Sequence, residues 1–280
     1  MPNFLTPAQY FKQYGSRPLK RFGQHFLSQP ATAQKIVQSA EILACDAVVE
    51  IGPGLGALTQ FIIEQAEKTH LIELDRVMVE YLSERVPAQT AIYRQDALAF
   101  DFKDLSLSLG KRLVVLGNLP YNISSPLVFT LLEAFPAIDR AVFMVQKEVG
   151  IRLAAPPGSK DYGVLSVLLG IYAEVSKLFS VGPSQFHPPP KVDSLVLRID
   201  FSPAPPDGDP GFDFVRKLVS KAFQQRRKTL ANSLAGVFGL SPEKLKRGFE
   251  QAQIDPKRRP ETLSPLEFLA LARSFLPPGA

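Results

Sequence analysis

Ala47-Val48-Val49-Glu50-Ile51-Gly52-Pro53-Gly54-Leu55-Gly56-Ala57 is the stretch that decides the fold. Its first five residues form an apolar, β-rich run with the signature of a buried strand. The run enters a glycine-rich turn, and a helical pattern comes next. Glycines let the chain turn tightly and let a ligand approach the backbone. Glu73 ends the next strand, 21 residues after Gly52. An acidic residue there can accept hydrogen bonds from both hydroxyls of a ribose. This much also fits a dinucleotide-binding fingerprint, in which G-x-G-x-x-A is permitted. Pro53 argues against pyrophosphate binding, because it removes an N–H donor from the loop. A tight strand–helix turn with no ligand is the plain alternative.

Working outward, apolar β-rich runs at 47–52, 70–75, 90–95, 113–117, 140–146, 173–181 and 193–201 alternate with helical stretches. The latter fall near 30–43, 56–67, 76–85, 124–134, 147–154 and 162–170. Such alternation predicts a mostly parallel sheet covered on both faces. Only a loop separates the last two strands, so they are expected to pair antiparallel. Asp96 comes after the third strand. Its carboxylate suits either an adenine amino group or the cap of a short turn. The fourth strand ends in Asn118-Leu119-Pro120-Tyr121. The Asn side-chain carbonyl can accept from an exocyclic amine, Pro aims a backbone carbonyl through its fixed φ, and Tyr offers a face for a flipped-out base. Asn and Pro are also ordinary turn residues. In an open α/β sheet, ligands bind outside the carboxyl ends of the strands. Gly52, Gly54, Glu73, Asp96 and Asn118 should therefore converge on one crevice.

At 280 residues and 45% hydrophobic composition, the chain can bury a real core. It holds no run of 18 apolar residues, so no transmembrane helix is expected, and the N-terminus lacks a secretory apolar segment. The single cysteine, Cys45, fits a reducing cytoplasm. His25, His70 and His187 are too scattered for a metal site. The segment 202–211, Ser-Pro-Ala-Pro-Pro-Asp-Gly-Asp-Pro-Gly, reads as a linker. Residues 1–211 carry a net charge of −2 and residues 212–280 carry +7. The basic segment is helical in pattern, with Ser241-Pro242 and Ser264-Pro265-Leu266-Glu267 as helix starts. Its charge points to a polyanionic partner, or to a solvated basic surface.

Taken together, the motifs resemble Rossmann-like class I S-adenosylmethionine-dependent methyltransferases. The chain is similar, over nearly its whole length, to the KsgA/Dim-type ribosomal RNA adenine N6,N6-dimethyltransferases. The resemblance rests on several stretches. They are Lys20-Arg21-Phe22-Gly23-Gln24-His25-Phe26-Leu27, Glu50 to Gly56, Ile72-Glu73-Leu74-Asp75, Asp96-Ala97 and Gly117 to Ser124. Gln146-Lys147-Glu148-Val149, Tyr162-Gly163 and Phe186 through Pro188-Pro189-Pro190-Lys191-Val192-Asp193-Ser194 complete it.

The resemblance implies an α/β methyltransferase domain over 1–201, the linker over 202–211 and a small basic helical RNA-binding domain over 212–280. It implies S-adenosylmethionine contacts at His25 and Leu27, mostly through backbone, and at Gly52, Gly54, Glu73, Asp96, Ala97 and Asn118. Methyl transfer to N6 of adenosine would fall to Asn118, Leu119, Pro120 and Tyr121. Phe186 would stack on the base or nearby, or pack as a core aromatic. The His25 imidazole is expected only to stack on neighbours. Arg226, Arg227, Lys228, Lys257, Arg258 and Arg259 would dock RNA, helped by Arg17, Lys20 and Arg21. The implied partner is small-subunit rRNA or an immature small ribosomal subunit. The protein would act as a cytoplasmic monomer without membrane or metal. Two readings compete: a large-subunit adenine methylase of the macrolide-resistance type, and a mainly non-enzymatic assembly or nucleic-acid-binding factor. The triple proline and Gln225 to Leu234 look like the small-subunit type. The intact Asn118–Tyr121 and Glu73 argue for catalysis.

Overall fold

The computed structural model describes residues 4–15, 24–225 and 227–276. Among the described residues, nine strands appear in chain order: β1 (Phe26–Leu27), β2 (Ala47–Ile51), β3 (Lys68–Ile72), β4 (Ala91–Tyr93), β5 (Leu113–Asn118), β6 (Ile138–Gln146), β7 (Ala173–Val181), β8 (Phe186–His187) and β9 (Ser194–Phe201). The helices are α1 (Pro7–Tyr14), α2 (Pro30–Gln38), α3 (Thr59–Ile62), α4 (Arg76–Ser83), α5 (Phe102–Leu109) and α6 (Ser124–Glu133). They continue with α7 (Lys147–Leu153), α8 (Val164–Tyr172), α9 (Phe212–Phe223), α10 (Leu230–Ser233), α11 (Pro242–Gln251) and α12 (Pro265–Ser274).

Seven strands form one sheet in the order β4-β3-β2-β5-β6-β9-β7. The first five are parallel and β9 runs antiparallel to β6. The two late strands are neighbours at one edge, as expected from the loop between them. β2 is buried along its whole length, which explains its unbroken apolar run. The chain leaves β2 toward β3 and β4, then returns to place β5 on the other side. This reversal makes the gap between the carboxyl ends of β2 and β5 the switch point where ligands bind. Ile51 lies opposite Gly117 there. A Cβ on Gly117 would come within 2.8 Å of the Ile51 carbonyl oxygen, so only glycine permits this approach.

The chain falls into two compact units, Met1–Gly150 with Ser176–Pro203, and Ile151–Val175 with Ala204–Ala280. The expected boundaries at 201 and 212 therefore need correction: 151–175 groups with the C-terminal helices. The reason is α8, whose sequence Val164 to Tyr172 is apolar nearly all round and buried. Such a helix needs partners on several sides, and α9 and α12 supply them. Gly170 lets α12 come close, because a Cβ there would lie 2.5 Å from the Pro265 ring. The proline-rich segment carries no helix or strand but is tied down. The Tyr172 hydroxyl donates to Asp209 at 3.0 Å, and Arg273 Nε donates to the Gly208 carbonyl at 3.2 Å.

Three helices depart from expectation. α5 falls in a stretch for which no helix is predicted, although Asp101 caps its start by accepting from Asp104 N–H and Gly110 closes it in the left-handed region. The stretch 56–67 yields only α3, because Gly56 sits at φ +80°, outside any α-helix. α1 was not anticipated, although Thr6-Pro7-Ala8-Gln9 signals it. Thr6 and Gln9 form a capping box. The helix and its flanks pack Tyr10, Phe4 and Leu5 beside Phe26, Leu55 and Tyr81, and Leu5 N–H donates to the Tyr81 hydroxyl at 2.8 Å.

Candidate active site

The strand ladders fix the site. Gly52 N–H donates to the Ile72 carbonyl at 2.9 Å, and Glu73 N–H to the Tyr93 carbonyl at 3.0 Å. Pairing thus continues past the carboxyl ends of β2 and β3, placing Gly52 and Glu73 side by side. Gly52 and Gly54 take left-handed φ values of +64° and +54°. Around them lies a cavity of about 330 Å³, the size of a nucleoside-binding pocket. His25, Leu27, Gly52, Gly54, Glu73, Asp96, Ala97, Asn118, Leu119, Pro120 and Tyr121 all line it.

Glu73 is held from two sides. Its Oε2 accepts from Gly54 N–H at 3.1 Å and its Oε1 from Asp75 N–H at 2.9 Å. Each oxygen keeps a lone pair for a further donor. Burial raises its pKa, and the two N–H bonds partly offset that. Asp96 realises its capping alternative, since Oδ1 accepts from Leu98 N–H at 2.9 Å. It is exposed and still faces the cavity, so the second oxygen remains for an amino group.

Glu50 lies beneath the glycine loop, 1% exposed, and accepts from the Thr59 hydroxyl at 2.6 Å. Burial pushes its pKa up to about 8, the Thr59 bond opposes this, and the nearby Glu73 charge adds to it. The carboxyl is therefore neutral at pH 7. Its ordinary value is 4.5, so between about pH 5 and 8 the folded state holds a proton that the unfolded chain releases. This contribution to stability is full below that range and lost as pH rises through it. Glu50→Gln should thus show a smaller fall in Tm from pH 5 to 8 than the parent. Parallel Tm–pH profiles for the two would contradict the assignment.

At the β5 end, Asn118 Nδ2 donates to the His25 carbonyl at 3.0 Å. That bond assigns the amide orientation and leaves Oδ1 as the acceptor for a ligand. Leu119 is 1% exposed, and its N–H donates to the Met144 carbonyl at 3.0 Å, so it anchors the loop. The Pro120 carbonyl is used by the turn, accepting from Ile123 N–H and the Ser124 hydroxyl, both at 3.1 Å. Tyr121 stacks on the His25 imidazole, with ring centres 5.6 Å apart and planes 26° from parallel. Its hydroxyl lies 3.3 Å from the Ser194 hydroxyl, and burial raises its pKa. His25 Nδ1 in turn lies 2.8 Å from the Pro188 carbonyl. The imidazole therefore links the Asn118–Tyr121 loop to the triple-proline loop, a role that sequence reasoning reduced to incidental stacking.

Phe186 requires correction as a base-stacking residue. It sits on β8 opposite Leu27 of β1, 5% exposed, within the core that includes Ala33, Val48 and Val196. It does not line the cavity. The two-stranded β1–β8 pairing turns its ring inward, so the core alternative is the one realised.

Among the basic residues, Arg17, Lys20, Arg21 and Arg226 lie outside the described residues. Arg227, Lys228, Lys257 and Arg259 are exposed. Arg258 is not a free cation. It pairs with Glu267, donates through Nε to the Thr262 hydroxyl at 3.2 Å, and its bond lowers the Glu267 pKa. Glu267 also closes the capping box of α12 with Ser264. The helix start thus consumes Arg258. Among the described residues, no group of three or more His, Cys, Asp or Glu could hold a metal, and no helix is long and apolar enough to cross a membrane.

A parallel sheet with an antiparallel β9, and a nucleoside-sized cavity at its switch point with an acid on the neighbouring strand end, define a class I S-adenosylmethionine-dependent methyltransferase. Within that class, the chain belongs to the ribosomal RNA adenine dimethylase family, whose model matches residues 16–275. It is 45% identical over 266 residues to the ribosomal RNA small subunit methyltransferase A of Nitrosococcus oceani, covering 94% of this chain and 97% of that one. The crystal structure of a dimethyladenosine transferase from Plasmodium falciparum is similar, with a TM-score of 0.73 and 28% identity, over 88% of this chain and 96% of that chain. The 23S rRNA methyltransferase ErmE shares the fold, with a TM-score of 0.64 and 23% identity over 89% and 99% of the two chains.

Proposed function

We propose that this chain dimethylates N6 of two adjacent adenosines near the 3′ end of small-subunit rRNA, using S-adenosylmethionine, during small-subunit biogenesis. The observation that carries the reading is the Asn118 amide. It is tied through Nδ2 to the His25 carbonyl, with Oδ1 left to accept at the rim of the cavity. The relatives named as small subunit methyltransferase A add the substrate class.

When bound, S-adenosylmethionine supplies an electrophilic methyl group on a sulfonium. The cavity residues fit it: Glu73 for the ribose hydroxyls, Asp96 and Ala97 for the adenine, and the Gly52–Gly54 backbone with His25 and Leu27 for the remainder. Adenine N6 is a weak nucleophile because its lone pair is delocalised into the ring. Asn118 Oδ1 and the Leu119 carbonyl accept from the two N6–H groups. The Pro120 carbonyl is already occupied by its turn. Acceptance favours the pyramidal nitrogen with its lone pair localised, an interaction strongest at the transition state. Tyr121, held by His25 and Ser194, offers its ring to the base. After transfer the extra proton leaves to water, so no side chain need act as base.

The exposed cations Arg227, Lys228, Lys257 and Arg259 hold RNA phosphates and set orientation rather than read bases. Replacing Arg226, Arg227 and Lys228 together by Gln should weaken RNA binding and flatten its salt dependence, by up to about 0.7–0.9 in log–log slope per lost phosphate contact. Arg258→Gln should instead cost about 1 kcal/mol of stability and leave that slope alone. Equal slopes for the triple variant and the parent would refute the docking role. The protein acts as a monomer in the cytoplasm under this reading.

Substrate choice is tested with labelled S-adenosylmethionine and unmethylated small and large ribosomal subunits. Label confined to the small subunit is the expected result. Label in the large subunit would move the chain to the resistance-type methylases.

A further inference from the structure

A second groove lies within the C-terminal unit, between α9 and the turn at 236–239. Arg216, Lys217 and Lys221 line it from α9, and Phe238 lines it from the turn. Positions 217 and 221 are one helical turn apart, so both ammonium groups share a face. None of the described residues lining the groove is acidic. Asp213, outside the groove, pairs with Arg216 at 2.9 Å.

Phe238 is the unusual member. Its φ is +52°, in the left-handed region that bulky side chains avoid. Glycines stand close by at 236 and 239, with φ +69° and +68°. The turn thus places an aromatic where a third glycine would be unstrained. The ring is nonetheless 38% exposed. It stacks on Phe214 with centroids 4.0 Å apart and planes 12° from parallel, which fixes its orientation. Burial alone does not account for a strained residue left this open. Strain of this kind persists where the position of a side chain matters.

A flat, oriented aromatic beside a pair of lysines matches the way proteins hold single-stranded nucleic acid, with base on ring and phosphate on ammonium. We infer that this groove is a distinct RNA contact, seating one unpaired nucleotide of the substrate RNA with its base on Phe238 and its phosphate at Lys217 and Lys221. The inference rests on the proposed function only for RNA as the substrate. Its partner is a single-stranded nucleotide, because a paired base has no face to offer the ring.

The test uses the full chain and two probes: unmethylated small ribosomal subunits, and a labelled single-stranded oligoribonucleotide of mixed sequence. Phe238→Asn removes the ring while keeping a residue that accepts the left-handed backbone. It should bind both probes about tenfold more weakly. Phe238→Trp should bind within about twofold of the parent, because the larger ring still stacks. Lys217→Gln with Lys221→Gln should lower the log–log salt slope by about 0.7, the share of one phosphate. Turnover at saturating subunit concentration should stay unchanged throughout. Parent-like binding by Phe238→Asn would overturn the inference. So would equal weakening by Asn and Trp, which would assign Phe238 to packing. A parent that methylates no ribosomal subunit yet loses oligoribonucleotide binding on Phe238→Asn would sink the proposed function and leave the groove standing.

Discussion

Asn118→Ala should lower kcat for methyl transfer by about 100- to 1,000-fold, the usual cost of deleting one hydrogen-bonding group aimed at developing charge. The loss falls on the chemical step because the Asn118 carbonyl matters most when N6 becomes pyramidal. The fold should survive. Asn118 makes one described side-chain bond, to the His25 carbonyl, and its loss costs about 1 kcal/mol. Affinity for S-adenosylmethionine should change by only a few fold, since Glu73 and Asp96 remain. Single-turnover transfer measured beside Tm and cofactor affinity separates these effects. Parent-like transfer would end the catalytic assignment.

Glu73→Ala should act on binding. Two ribose hydroxyls donating to one carboxylate are worth about 1.5 kcal/mol each, so Kd for S-adenosylmethionine should rise about 100-fold or more. The carboxylate also holds the Gly54 and Asp75 N–H groups, so the glycine loop loses an anchor. Turnover at saturating cofactor should stay within a few fold of the parent. Glu73→Gln keeps the shape but loses the charge and one acceptor, and should fall between the two. Titration calorimetry reads the difference, and an unchanged Kd for the alanine variant would contradict the ribose role.

The site was legible because its parts sit at strand ends. A buried parallel strand writes itself as an unbroken apolar run, and the residues just after the run must lie at the carboxyl edge. Gly52, Glu73, Asp96 and Asn118 are therefore brought together by their positions in the chain alone. The failures share a different cause: the sequence marks a residue as apolar or charged without naming its partner. α8 reads like a sheet-covering helix, but its apolar faces are met by α9 and α12. Phe186 reads as an aromatic near the site, yet the short β1–β8 pairing turns it into the core. Arg258 reads as part of a basic run, whereas Glu267 nine residues later claims it. The His25 ring contact involves residues 96 and 163 positions away, which no local pattern reveals. α1 and α5 were missed despite local signals, the Thr6–Gln9 capping box in one and the Asp101 cap with Gly110 in the other.

The most direct test of the central claim is nucleoside mass spectrometry of small-subunit rRNA after reaction with the parent protein and S-adenosylmethionine. N6,N6-dimethyladenosine at two adjacent positions near the 3′ end, absent with Asn118→Ala, is the predicted result. No methylated adenosine in that RNA, from a protein that binds S-adenosylmethionine and the small subunit, would contradict the account.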